Sequence, residues 1–165
     1  MGALEVLESK TINHTSMFKK LILKLFNIYP NIISFKEVFD LIGFPIITFT
    51  QGGRKFHFLF DTGTNHNIID SNVLKYLEYE KVKQEGQVTL SGMDGIKHDV
   101  ELCNITLYYK DQAYPFMYLS KDLKETFALF KKDFGIQLSG MIGTEFFAQY
   151  QYVIDFKDFI AYSKA

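Results

Sequence analysis

Phe58-Leu59-Phe60-Asp61-Thr62-Gly63-Thr64 is the stretch on which the reading of this chain turns. An apolar run ends in an acid, followed by a hydroxyl residue and a glycine. Phe56, Phe58 and Phe60 alternate with Lys55, His57 and Leu59, the period expected of a strand. Asp61 is thereby placed where a buried strand gives way to a loop. The Thr62 hydroxyl can brace that loop, and Gly63 permits a tight backbone path that brings its N–H toward the carboxylate. Upstream, residues 44–50 read as a partner strand, with Gln51-Gly52-Gly53-Arg54 as the turn of a hairpin. Downstream, residues 66–69 are strand-like, and Asp70 or Ser71 can cap a short helix through Val73, Leu74 and Leu77.

A second segment gives this loop context. Gly140-Met141-Ile142-Gly143-Thr144-Glu145-Phe146-Phe147 places two apolar residues before a glycine, then a short helical stretch for which Thr144 is the expected cap. Together the two segments resemble the retropepsin-like aspartic peptidases, the single-lobe relatives of pepsin that include retroviral proteases and their cellular and bacterial counterparts. That family carries one Asp-Thr/Ser-Gly per chain and a later apolar-apolar-Gly segment packed beside it. The resemblance spans roughly residues 42–163. It implies a mainly β fold, a closed barrel of the acid-protease type with one lobe per chain and a few short helices. It implies Asp61 as the catalytic acid, Thr62, Gly63 and Thr64 as its supporting loop, and Met141, Ile142 and Gly143 as the residues packed against that loop. Two departures from the viral pattern stand out. Thr64 and Asn65 replace the usual Ala and acidic residue, although Asn65 can still hydrogen-bond a peptide. Thr144-Glu145 replaces Arg-Asn or Arg-Asp, so the viral dimer-stabilising salt bridge does not carry over.

The chemistry needs a second carboxylate. Two acids facing one water share a proton: one activates the water, and the other protonates the carbonyl oxygen. Asp133 and Asp155 lack the hydroxyl residue that would follow, Asp70 is followed by Ser71 but then by Asn72 rather than glycine, and Asp94 lacks the hydroxyl between. The partner acid is therefore expected to be Asp61 of another copy, related by a two-fold axis. The resemblance implies the same homodimer, with Thr62 hydrogen-bonding across the axis. Residues 87–102 read as a hairpin whose tip holds Ser91, Gly92, Met93, Asp94 and Gly95. In the resembled family this position carries the flap that closes over a polypeptide substrate. Farther on, residues 104–109 and 113–119 bracket a second hairpin, with Pro115 marking an edge unpaired on one side. Residues 121–134 carry the helical stripe Leu123, Phe127, Phe130 and Phe134, stopped at Gly135, and a hairpin over 152–162 closes the chain.

Composition sets the remaining bounds. The 165 residues suit one domain with a short appendage, and 17 Phe and 10 Tyr suit a β-rich interior. Net charge is −1, which gives no reason to expect a nucleic-acid partner. The one cysteine, Cys103, excludes an intrachain disulfide and fits a cytoplasmic, reducing setting. His14, His57, His66 and His98 lack ligand spacing, so neither metal nor other cofactor is expected; His66 lies near enough to the loop to contact substrate.

Residues 1–41 read as an extension, with an amphipathic helix over 17–29 capped by Thr15 or Ser16 and stopped by Pro30. Three roles compete for it: packing on the domain or across a dimer, weak membrane-surface contact through its lysines, or a signal peptide beginning at Met17. Residues 32–39 fit strand or helix equally. Two functions follow from the whole: a homodimeric aspartic endopeptidase, or a non-catalytic peptide-binding or dimerisation module of the same fold.

Overall fold

The computed structural model describes residues 31–83, 88–91 and 97–163. The expected helix at 17–29 and the expected hairpin tip at Gly92, Met93, Asp94 and Gly95 lie outside these residues. Mainly β structure is observed. The expected hairpin forms from β2 (Ile46–Gln51) and β3 (Arg54–Phe60), paired antiparallel from Ile46↔Leu59 to Gln51↔Arg54. After the Asp61 loop come β4 (Ile68–Asp70) and a 3-10 helix (Ser71–Tyr76) capped by the Asp70 carboxylate, which accepts from the Asn72 N–H. A short β5 (Tyr79–Lys81), which the sequence pattern did not reveal, then leads to β6 (Val88–Ser91), β7 (Lys97–Tyr109) and β8 (Gln112–Lys121). Helix α2 (Lys124–Phe134) and strand β9 (Leu138–Ile142) follow, then α3 (Thr144–Gln149), β10 (Tyr152–Asp155) and β11 (Ile160–Ser163).

Six strands close into a barrel in the order β2-β3-β9-β4-β8-β7, and the Thr50↔Tyr108 pairing returns β7 to β2. Closure removes the free edges that an open sheet would leave. The decisive insertion is β9. It enters late in sequence yet lies between β3 and β4, parallel to the first and antiparallel to the second. Such a close approach needs a position without a side chain. A Cβ on Gly140 would lie 2.3 Å from the Ile68 carbonyl oxygen and 2.7 Å from the Phe58 ring. Pro115 meets its expectation: it faces Thr106 of β7 in register, while β4 joins the other side of β8 only from Leu119 onward.

The interior is aromatic. Phe49, Phe58, Tyr114, Tyr118 and Phe146 are each at most 2% exposed. Phe49 meets Phe58, Tyr114 and Phe146 edge-on, while Phe146 stacks on Tyr152 at 5.7 Å. Each such geometry is worth about 0.5–1.5 kcal/mol beyond area burial. The buried hydroxyls of Tyr114 and Tyr152 share a 2.7 Å hydrogen bond, and desolvation pushes both phenols above their ordinary range. Outside the barrel, Leu123 at the N-cap of α2 and Phe127 within the helix pack with Ile46, Ile68 and Leu138. Phe134, at the end of the expected stripe, is 38% exposed and packs on Phe44.

The ambiguous residues 32–39 divide between two elements. Ile32–Ser34 forms β1, antiparallel to β11, and Lys36–Ile42 forms helix α1. Between them, buried Phe35 donates its N–H to the Phe159 carbonyl and is ringed by Phe39, Phe60, Phe156 and Phe159. Residues on the N-terminal side of the division expected at 41/42 thus pack into the same core as the barrel. One expectation is corrected. Thr144 does not cap α3: extended Gly143 holds the cap position, and Thr144 is the first helical residue. The cause is the Thr144 N–H, which is drawn onto the Thr64 carbonyl.

His57 supplies a test. Its half-buried ring bonds the Thr48 hydroxyl across the hairpin at 2.9 Å. Burial first, then the charge of Lys55, holds its pKa below the ordinary 6.5. Because the unfolded chain protonates this ring more readily, stability is fully present above the ordinary value and is lost as pH falls through the lower folded one. Urea midpoints at about pH 7.5 and about pH 5 should therefore show a steeper acid-side loss for the native chain than for His57→Gln; equal losses would refute this.

Candidate active site

Asp61 sits where β3 leaves the barrel. Its own N–H donates to the Ile142 carbonyl at 3.0 Å, continuing the β3–β9 ladder by one bond, so the acid is fixed to the end of β9. Beyond it the chain turns. The Gly63 N–H donates to Asp61 Oδ1 at 2.9 Å, as the residue types required, and the Thr64 N–H closes onto the Asp61 carbonyl at 3.3 Å. The carboxylate is only partly buried, and Thr62 and Gly63 are exposed. One oxygen of the carboxylate is oriented by the loop, and the group stands on an open face.

The loop is held from below by the segment at Gly143. Thr144 and Glu145 donate their N–H groups to the Thr64 and Asn65 carbonyls, both at 3.0 Å. Thr144 Oγ1 also donates to the Asn65 carbonyl, and Thr64 Oγ1 to that of His66. Asn67, which the sequence pattern did not single out, is 1% exposed and accepts the Gly143 N–H on Oδ1 at 2.9 Å. It also accepts the Leu119 N–H on its backbone carbonyl, so one residue links the loop, β9 and β8. An asparagine leading directly into the apolar pair Ile68-Ile69 was the one sequence signal that could have marked it. His66 Nδ1 lies 2.6 Å from Glu145 Oε1, the two side chains being 43% and 39% exposed. This contact joins the loop to α3.

The structure therefore gathers Asp61, Thr62, Gly63, Thr64 and Asn65 with Met141, Ile142 and Gly143 in one place. Met141 pairs with Leu59 and Ile68, and Ile142 with Phe60. Ser91 ends β6 opposite Lys97, so the hairpin expected around the tip is formed by its strands. Among the described residues no cluster of three or more His, Cys, Asp or Glu could hold a metal ion. Cys103 is buried and burial raises its thiol pKa, which suits packing rather than nucleophilic attack. No family model matches the chain, and no curated protein matches it.

Gly143 shows how tightly the loop is seated. A Cβ there would fall 2.4 Å from the His66 carbonyl oxygen and 2.9 Å from the Asn65 carbonyl carbon. These are backbone atoms, which cannot swing aside. Gly143→Ala should cost about 1–3 kcal/mol of stability, read from the urea midpoint, and displace the loop. A neutral effect would mean that the loop is not clamped here.

Proposed function

We propose that this chain is an aspartic endopeptidase of the retropepsin-like type. Two copies meet so that their Asp61 carboxylates face one water, with extended polypeptide held beneath a flap near residues 91–96. The observation that carries the reading is the join between the two sequence motifs. Asp61 is bonded to Ile142, and Thr64 and Asn65 are bonded to the first two residues after Gly143. A closed barrel presents this acid, partly exposed, on a braced loop.

The chemistry then divides between chains. Two carboxylates in contact share one proton, because both cannot ionise at close range. The ionised acid takes a proton from the water as its oxygen attacks the peptide carbonyl carbon. The protonated acid gives its proton to the carbonyl oxygen, and collapse of the tetrahedral adduct expels the amine, which is protonated as it leaves. The Gly63 N–H bond to Oδ1 orients the carboxylate, which suits this role. Thr62 is the residue placed to hydrogen-bond across the two-fold axis. No helix among the described residues is long and apolar enough to cross a membrane, and the cytoplasm remains the proposed setting.

The test joins activity to assembly. Cleavage of a peptide library at mildly acid pH should fall by at least about a hundredfold in Asp61→Asn. Specific activity should also rise with protein concentration through the range in which sedimentation shows monomers pairing. Stable dimers that cut no library member would instead assign the chain to a non-catalytic binding module. Activity retained by Asp61→Asn would overturn the assignment of the acid.

A further inference from the structure

A second feature lies away from the Asp61 loop and owes nothing to the peptidase reading. Between the 3-10 helix and α2 is a cavity of about 830 Å³ whose walls carry Lys75, Lys124, Lys131 and Lys132. Lys124, Ala128, Lys131 and Lys132 recur at helical spacing on one face of α2, and the small Ala128 leaves room between the ammonium groups. Among the described residues none of the four forms an ion pair. The nearby acids are already engaged with backbone and amide donors. Asp70 Oδ1 accepts from Asn72 N and Nδ2 and from the Leu123 N–H, and Asp122 Oδ1 accepts from Asn72 Nδ2 and the Lys124 N–H.

Helix electrostatics accounts for only part of this arrangement. Lys131 and Lys132 lie in the last turn of α2, where a cation is favoured. Lys124 is the first residue of the same helix, where a cation is disfavoured, and Lys75 comes from another element. At the rim, Tyr76 is 48% exposed, with Lys75 and Arg54 each about 5 Å from its ring centroid. In a chain of net charge −1, this is a local excess of positive charge, with the Asp70 carboxylate the one acid among the cavity's lining residues.

We propose that this cavity recognises a short acidic peptide segment, its carboxylates paired with Lys75, Lys124, Lys131 and Lys132 and its backbone lying against Tyr76. Nucleic acid fits less well. It gains affinity from phosphates along a continuous basic track, whereas here the lysines are gathered round one cavity, with Asp122, Glu125 and Asp133 outside its lining.

A fluorescein-labelled octaglutamate peptide, titrated with the full chain and followed by anisotropy, tests the proposal beside octaglutamine and octathymidylate. The expected result is saturable octaglutamate binding that weakens with salt. It should be about tenfold weaker in the triple variant Lys75→Gln, Lys124→Gln, Lys132→Gln, as losing several cooperating charge contacts implies. A charge-matched control, Lys83→Gln, Lys110→Gln, Lys157→Gln, should bind like the native chain, and all three proteins should share one circular dichroism spectrum. Equal loss in both variants, tighter binding of octathymidylate, or no saturable octaglutamate binding would overturn the assignment.

Discussion

The arrangement depends on one close backbone approach. β9 slides between β3 and β4, and glycines at its middle and just past its end let neighbouring carbonyls come nearer than any side chain would allow. Once β9 is in place, the last carbonyl of the strand accepts the Asp61 N–H, and the first turn of α3 bonds to the carbonyls of Thr64 and Asn65. The loop conformation follows from these bonds together with those it makes within itself, from the Gly63 N–H to Asp61 Oδ1 and from the Thr64 N–H to the Asp61 carbonyl. A carboxylate on so short a turn would otherwise sample many orientations, and ordering it there carries an entropic cost that these bonds offset.

The aromatic interior gives that clamp a rigid base. Phe58 borders Gly140 and reaches Tyr118 and Phe49, while Phe60 reaches Phe147 of α3 and Phe35 of the N-terminal segment. Strand β3 therefore touches the barrel core, the helix under the loop and the β1–α1 segment through alternate side chains. Rings at close-packed density transmit displacement poorly into slack, so a shift in any of these elements would be felt at Asp61. The small three-stranded sheet of β1, β11 and β10 is joined to the barrel through the same ring cluster around Phe35.

Much of this was legible from residue order. The β2–β3 hairpin, the β7–β8 hairpin, the Asp70 cap, the run of α2 to Gly135 and the closing hairpin were all signalled by local period and punctuation. Residues 32–39 were not, because Phe35 is committed by Phe159, which lies far along the chain. β5 was missed for a similar reason: Tyr79-Glu80-Lys81 has little apolar alternation and is a strand because Ile105, Asn104 and Cys103 offer it a ladder. Thr144 was misassigned as a cap because its N–H goes to Thr64 and starts the helix one residue earlier in role than the residue type suggested.

The sequence by itself determined an acid, a hydroxyl residue and a glycine at the end of an alternating strand, and an apolar pair before a later glycine. Those are local matters of side-chain period and backbone permissiveness. Only the tertiary structure decided that the two segments meet, that Asn67 is buried to hold Gly143, that His66 faces Glu145, and that lysines from two helices share a cavity. Each of these joins residues whose contact depends on a parallel strand inserted between two others, and no local pattern encodes that insertion.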